Sequence, residues 1–167
     1  DLADYLQARR QQPVQLAGLL ATEGLQPLEG RLENIDRLYD AGFRMTGLTH
    51  FFDNEVGGSA HGLDKGGLTS FGRQVIPRLQ EKHMLVDLAH ASKPLIDDVL
   101  AISTQPLVVS HTGVAGTCPG PRNLTDEHLR KIAATGGVIG IGYWDGAVCD
   151  PSLASIVKAI RYTADLV

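Results

Sequence analysis

Two histidines each close a short apolar run: Met84-Leu-Val-Asp-Leu-Ala-His90 and Pro106-Leu-Val-Val-Ser-His111. A helix-length segment joins the runs. Strand, helix, strand in that order predicts a parallel pair, with both imidazoles at the carboxyl edge of neighbouring strands. That edge is where parallel α/β sheets bind ligands and metals. A neutral imidazole offers a nitrogen lone pair, and two of them at adjacent strand mouths can share one ion.

Other apolar runs end the same way. Glu23 follows Gly-Leu-Leu-Ala-Thr, His50 follows Phe43 to Thr49, and Tyr143-Trp144 follows Val138 onward. Imidazole and carboxylate together suit zinc or a similar divalent ion. A carboxylate can bridge two ions through its two oxygens, and two ions about 3.5 Å apart turn water into a nucleophile and polarise a carbonyl. Taken singly, each residue has a plainer reading. A lone histidine is more often a surface or hydrogen-bonded core residue. Glu23 could be a solvated loop acid, with Glu29 as its rival. His50 could be a helix cap or a loop residue, and Arg122 an ordinary surface ion-pair partner. His61, His83 and His128 are expected to be structural or exposed. Asp87 is expected to be either a partner to a histidine or a buried helix-capping acid.

The elements that must position these groups follow from the pattern. Residues 2–11 read as a helix closed by Pro13, Val14–Thr22 as a buried strand, and Leu28–Ala41 as a helix stopped by Gly42. Phe43–Thr49 is a strand, followed by a long glycine-rich loop over 51–68, a candidate for site-building. Thr69 caps a helix through Lys82, Met84–Ala89 is a strand, and Ser92 caps a helix over Lys93–Ile102. Leu107–Ser110 is a strand, Thr125 opens a helix ended by Gly136-Gly137, Val138–Tyr143 is a strand, and Ser152–Leu166 is a helix. That makes five strand-then-helix units without a hairpin signal. The pattern points to a doubly wound sheet or a (β/α)8 barrel. The lack of Gly-x-Gly-x-x-Gly after the first strand weakens the dinucleotide-binding form. A barrel typically takes about 250 residues, so 167 residues are expected to be the central part of one metal-dependent hydrolase barrel, its first and last strands lying outside the chain.

Bulk properties exclude more than they assign. The net charge of −4 and the lack of a basic stripe speak against nucleic acid as partner. No apolar run approaches the roughly 18–20 residues of a membrane span. Two cysteines, Cys118 and Cys149, make no disulfide framework and lack Cys-x-x-Cys spacing, so two free thiols are expected, with one bridge as the alternative.

Together, Gly-Leu-Leu-Ala-Thr-Glu23-Gly, Thr-Gly-Leu-Thr-His50, Gly-Leu-Thr-Ser-Phe-Gly72-Arg, Val-Asp-Leu-Ala-His90-Ala-Ser, Val-Val-Ser-His111-Thr and Pro-Arg122-Asn-Leu-Thr-Asp resemble the membrane (renal-type) dipeptidases, a family of zinc peptidases. The resemblance runs in order across residues 15–145. It implies a (β/α)8 barrel, two zinc ions and dipeptide substrates. It makes Glu23 the bridging carboxylate, and His90 and His111 the remaining ligands of one zinc. His50 becomes the histidine that contacts the scissile carbonyl and oxyanion, and Arg122 the arginine that binds substrate, with Trp144 near a substrate-contacting aromatic position. The first zinc's His-x-Asp pair is expected upstream of Asp1, and a further aspartate beyond Val167. The resemblance leaves a homodimer open. The rivals are another metal-dependent barrel amidohydrolase and a catalytically inert homologue or fragment.

Overall fold

The computed structural model describes residues 2–12 and 16–167. Helix α1 (Leu2–Gln11) comes first; Pro13 and Val14 lie outside the described residues. Five strands follow: β1 (Leu20–Glu23), β2 (Phe43–Gly47), β3 (Leu85–Asp87), β4 (Leu107–Thr112) and β5 (Val138–Ile141). Each pairs with the next in the parallel sense, so the sheet order is the chain order. Helices α2 (Glu33–Asp40), α3 (Gly72–Glu81), α4 (Lys93–Ile102) and α5 (Asp126–Ala134) form the crossovers. Beyond β5 come α6 (Asp145–Val148) and α7 (Leu153–Leu166). Sequential parallel order with a helix in each crossover is barrel topology, distinct from the reversal of a doubly wound sheet.

The helices cover one face only. Val86, Leu107 and Val109 point to that face and are 2% exposed or less, packed among Ile35, Ile76, Leu79, Leu95, Leu129 and Ile132. The strand period of two turns Leu85, Asp87 and Val108 the other way. Through register this second face continues to Val138, which is 64% exposed. It corresponds to the inner wall of a barrel, and β1 and β5 are its two edges.

Local chemistry explains the element starts. Ser92, Thr125 and Ser152 sit in extended conformation, and each hydroxyl accepts the backbone N–H three residues on. Thr69 does the same for Gly72, though regular helix begins only there. The helix expected over 28–41 divides. Pro27 sits in a 3-10 turn, Gln26–Leu28, and Glu29 and Gly30 both take positive φ, so α2 begins only at Glu33. The described part of the first strand is likewise shorter than expected, Leu20–Glu23.

Asp87 caps no helix and hydrogen-bonds to no histidine among the described residues, though its charge acts on His111. Its Oδ1 accepts the backbone N–H of Ala89 and of Ser110, both at 2.9 Å. Being 6% exposed, it ties the end of β3 to β4 where the two histidines emerge. The cysteines overturn the free-thiol expectation: Cys118 and Cys149 are bonded, with S–S 2.09 Å and Cα–Cα 5.5 Å. They lie 31 residues apart, but the segments following adjacent parallel strands β4 and β5 are neighbours in space, which counting Cys-x-x-Cys spacings does not see. Replacing Asp87 by alanine leaves two buried N–H groups unpaired. Urea denaturation of Asp87→Ala is expected to show a loss of about 2–4 kcal/mol, whereas a loss under ~0.5 kcal/mol would mean water replaces the carboxylate.

Candidate metal centre

The carboxyl edge of the sheet gathers the strand-end residues around one cavity of about 300 Å³, lined by Glu23, His50, Phe51, His61, His90, His111, Arg122 and Trp144. Glu23 is the last residue of β1, and His50 lies three residues past β2. His90 lies three past β3, while His111 is within β4. Successive parallel strands therefore deliver one group each.

Three ligand-type atoms converge. Glu23 Oε1 is 2.9 Å from His90 Nε2 and 3.3 Å from His111 Nε2, and the two Nε2 atoms are 3.0 Å apart. A tetrahedral ion with bonds of about 2.0–2.1 Å separates its donors by about 3.3 Å. The measured triangle lies at or slightly below that, and its N,N,O donor set is one that zinc accepts. His50 Nε2 approaches the other carboxylate oxygen, Oε2, at 3.6 Å. By proximity, Glu23, His50 and His90 also form a group able to hold a metal ion, their ligand atoms all within 4.8 Å. His50 is thus close enough to be a ligand, a reading beside the carbonyl-contacting role that the resemblance implies.

The backbone turns the rings inward. His90 takes φ of 64°, uncommon for a residue with Cβ. The surroundings hold it there: its carbonyl accepts Ala60 N–H at 2.8 Å, and Ala91 N–H bonds back to Leu88 O. Ser110 Oγ lies 2.8 Å from His111 Nδ1, orienting that ring from behind. Arg122 Nε donates to His90 Nδ1 over a long 3.4 Å. With Nδ1 as acceptor, the neutral ring carries its proton on Nε2, facing Glu23; an ion would occupy that proton's place.

Burial and charge favour the neutral form of His90 and His111. Burial pulls His90 down to about 3, and the Arg122 charge and the neighbouring imidazoles add to the shift. His111 is also lowered, by burial and then Arg122, while Glu23 and Asp87 pull it upward. Burial lowers the Arg122 guanidinium as well, against the pull of Glu23 and Asp87; it remains a cation at neutral pH. Its Nη1 and Nη2 are buried without a hydrogen-bond partner, and its Cζ lies over the Trp144 ring, 4.8 Å from the centroid. Arg122 is therefore not the surface ion-pair partner of the plainer reading.

His61 is exposed, as expected, and it also borders the cavity, its ring 4.9 Å from Phe51 and 5.3 Å from His90. It arrives on the 51–68 loop, where Asp53 accepts the N–H of Ser59 and of Asp64, and where Ser92 N–H and Oγ bond to Gly58 and Gly66 carbonyls. Asp-Asn at 53–54 in a glycine-rich loop was the available signal. His83 is exposed, and His128 is buried against Asp97 at 3.2 Å on the helical layer, both away from the cavity. Glu29 lies at the 3-10 turn and borders a different pocket. Tyr143 is 67% exposed and outside the cavity lining.

The family model for membrane dipeptidase (peptidase family M19) matches residues 1–167, and the chain belongs to that family. It is 34% identical over 154 residues to dipeptidase verJ of Clonostachys rogersoniana, covering 90% of this chain and 40% of that protein. To dipeptidase aclJ of Aspergillus oryzae it is 28% identical over 162 residues, 93% of this chain and 38% of that one. A Klebsiella pneumoniae protein from the pqqA 5′ region is 32% identical, with 60% of its length covered. The chain thus spans between 38% and 60% of these relatives. Among solved structures, an amidohydrolase from Pseudomonas aeruginosa superposes with a TM-score of 0.87 at 23% identity, over 98% of this chain and 50% of that one. A Rhodobacter sphaeroides metallopeptidase bound to a phosphinate mimic of L-Ala-D-Ala gives 0.82 at 22%, over 98% and 50%. These similarities establish the fold: the five-stranded parallel sheet is about half of such a barrel.

The lowered His90 has a consequence for the metal-free protein. An unfolded histidine takes up its proton near pH 6.5, whereas folded His90 does so near 3. Between these values the unfolded state binds more protons, so stability is complete above about pH 6.5 and falls as pH drops toward 3. The urea midpoint of metal-free protein should decline below pH 6.5, and less steeply in His90→Gln. A midpoint flat from pH 6.5 to 4.5 would contradict this.

Proposed function

We propose that this protein is a zinc-dependent dipeptidase, hydrolysing the peptide bond of dipeptides at the carboxyl edge of the barrel. One observation carries the reading: Arg122, whose two Nη nitrogens are buried and unpartnered, lines the same cavity as the Glu23–His90–His111 triangle. A hydrolytic centre with a carboxylate receptor beside it suits a substrate whose free carboxylate lies one residue from the scissile bond.

In this reading Glu23, His90 and His111 hold one zinc. A second zinc would share the Glu23 carboxylate and would need further ligands beyond these residues. When bound, the ions supply Lewis acidity toward the carbonyl and lower the pKa of water. His50, beside Glu23 Oε2, donates to the carbonyl oxygen as negative charge develops there, the contribution usually largest in acyl transfer. Arg122 clamps the free carboxylate with its planar pair of Nη groups. Trp144 backs the guanidinium and limits its movement. In a dipeptide both termini lie next to the bond broken, so recognition of charge at the ends selects for length.

Two substitutions separate the roles. In metal-loaded full-length protein, His111→Ala should remove zinc and reduce turnover by more than about 100-fold, beyond what loss of a partner behind a ligand costs; retained stoichiometry and turnover would refute the ligand role. Arg122→Ala should raise KM for dipeptides by roughly 10- to 100-fold with a smaller change in kcat, the measure of a lost charge-assisted pair. A panel of dipeptides, cyclic amides and phosphoesters distinguishes this activity from that of a related barrel amidohydrolase.

A further inference from the structure

Arg122 sits in a segment without helix or strand, between β4 and α5. Holding a cation there, desolvated and with two nitrogens unpartnered, is unfavourable. A free loop would relieve it by swinging the side chain into water. What opposes this comes from the next βα unit. Cys118, four residues before Arg122 and 2% exposed, is bonded to Cys149 at the end of α6. The adjacent Asn123 donates Nδ2 to Cys118 O at 2.6 Å and to Gly146 O at 2.9 Å. The guanidinium stacks on Trp144, the residue that opens α6. Gly113 lies so close to Ala147 O and the Asn123 side chain that any Cβ there would collide. Two loops are thereby joined into one plate that presents Arg122 and Trp144 to the cavity.

We propose that the Cys118–Cys149 disulfide and Asn123 are positioning elements for the Arg122 clamp, and that they set the preference for substrates bearing a free carboxylate. The proposal rests on the dipeptidase reading above. Its mark is selectivity. Breaking the bond weakens recognition of the carboxylate and leaves the Glu23–His90–His111 triangle in place, because those residues are held by β1, β3, β4 and Asp87 and the one contact from Arg122, Nε to His90 Nδ1, is long at 3.4 Å.

The test uses metal-loaded full-length protein and two ligand pairs: a dipeptide with its C-terminal methyl ester, and a phosphinate dipeptide mimic with its ester. The bond is removed in the double variant Cys118→Ser, Cys149→Ser. It is also opened in the native protein by a water-soluble phosphine, which takes an oxygen from water to become its oxide as both sulfurs become thiols. Asn123→Asp, which turns a donor into a charge facing three carbonyls, is the third arm and serves if the double variant does not fold. Expected are a rise of roughly tenfold in KM for the free acid and in calorimetric Kd for the acid phosphinate, about one charge-assisted contact. Ester values should stay within about twofold and zinc content should be unchanged. An acid-over-ester preference that survives in all arms overturns the proposal. So does an equal loss for acid and ester, which would mark a merely structural bond. Native protein that neither hydrolyses dipeptides nor prefers acid phosphinate over ester refutes the dipeptidase reading itself, and the proposal with it.

Discussion

The site depends on two neighbouring strands ending in fixed register. Asp87 enforces it by taking one N–H from each side, Ala89 beyond β3 and Ser110 within β4. With the strand ends locked, His90 and His111 leave the sheet with their Nε2 atoms 3.0 Å apart. That separation between two neutral imidazoles has little stability of its own. It is imposed by the sheet, and the left-handed backbone at His90 is part of what imposes it. Loss of register by one residue would turn one ring to the helical face and dissolve the cluster. This buried aspartate is thus maintained for geometry, with its two hydrogen bonds and the nearby Arg122 charge offsetting its desolvation.

The sequence revealed the parts governed by local rules and missed those governed by proximity. Helix starts at Ser92, Thr125 and Ser152 were legible because a hydroxyl satisfies a nearby N–H wherever the chain turns into a helix. The strand-end histidines were legible because parallel topology sends every strand's last residues to one edge. The split of 28–41 was hidden, because apolar spacing through Leu32, Ile35 and Leu38 looks helical while Glu29 and Gly30 interrupt it upstream. His61 was hidden for a different reason. It lies in a loop, and loop side chains are placed by long-range hydrogen bonds such as Ala60 N–H to His90 O. The Cys118–Cys149 bond likewise follows from two adjacent loops, which no spacing rule expresses.

Charge ties these pieces together in the proposed chemistry. Among the described residues that line the cavity, one carboxylate, Glu23, faces a permanent cation, Arg122, and the imidazoles of His90 and His111, both shifted toward the neutral form. Arg122 is among the causes that keep His90 and His111 unprotonated, and unprotonated imidazole is the form that ligates. The same cation adds to the positive charge of any ion bound beside it, an excess that one carboxylate does not balance. Anionic groups are therefore what this cavity favours: a carboxylate against the unpaired guanidinium nitrogens and a developing oxyanion near His50. Two guanidinium nitrogens buried without a hydrogen-bond partner would be a defect in a protein that only needed to fold. In the proposed chemistry, the cation that adds to burial in keeping His90 and His111 unprotonated is also the one that calls for an anionic substrate.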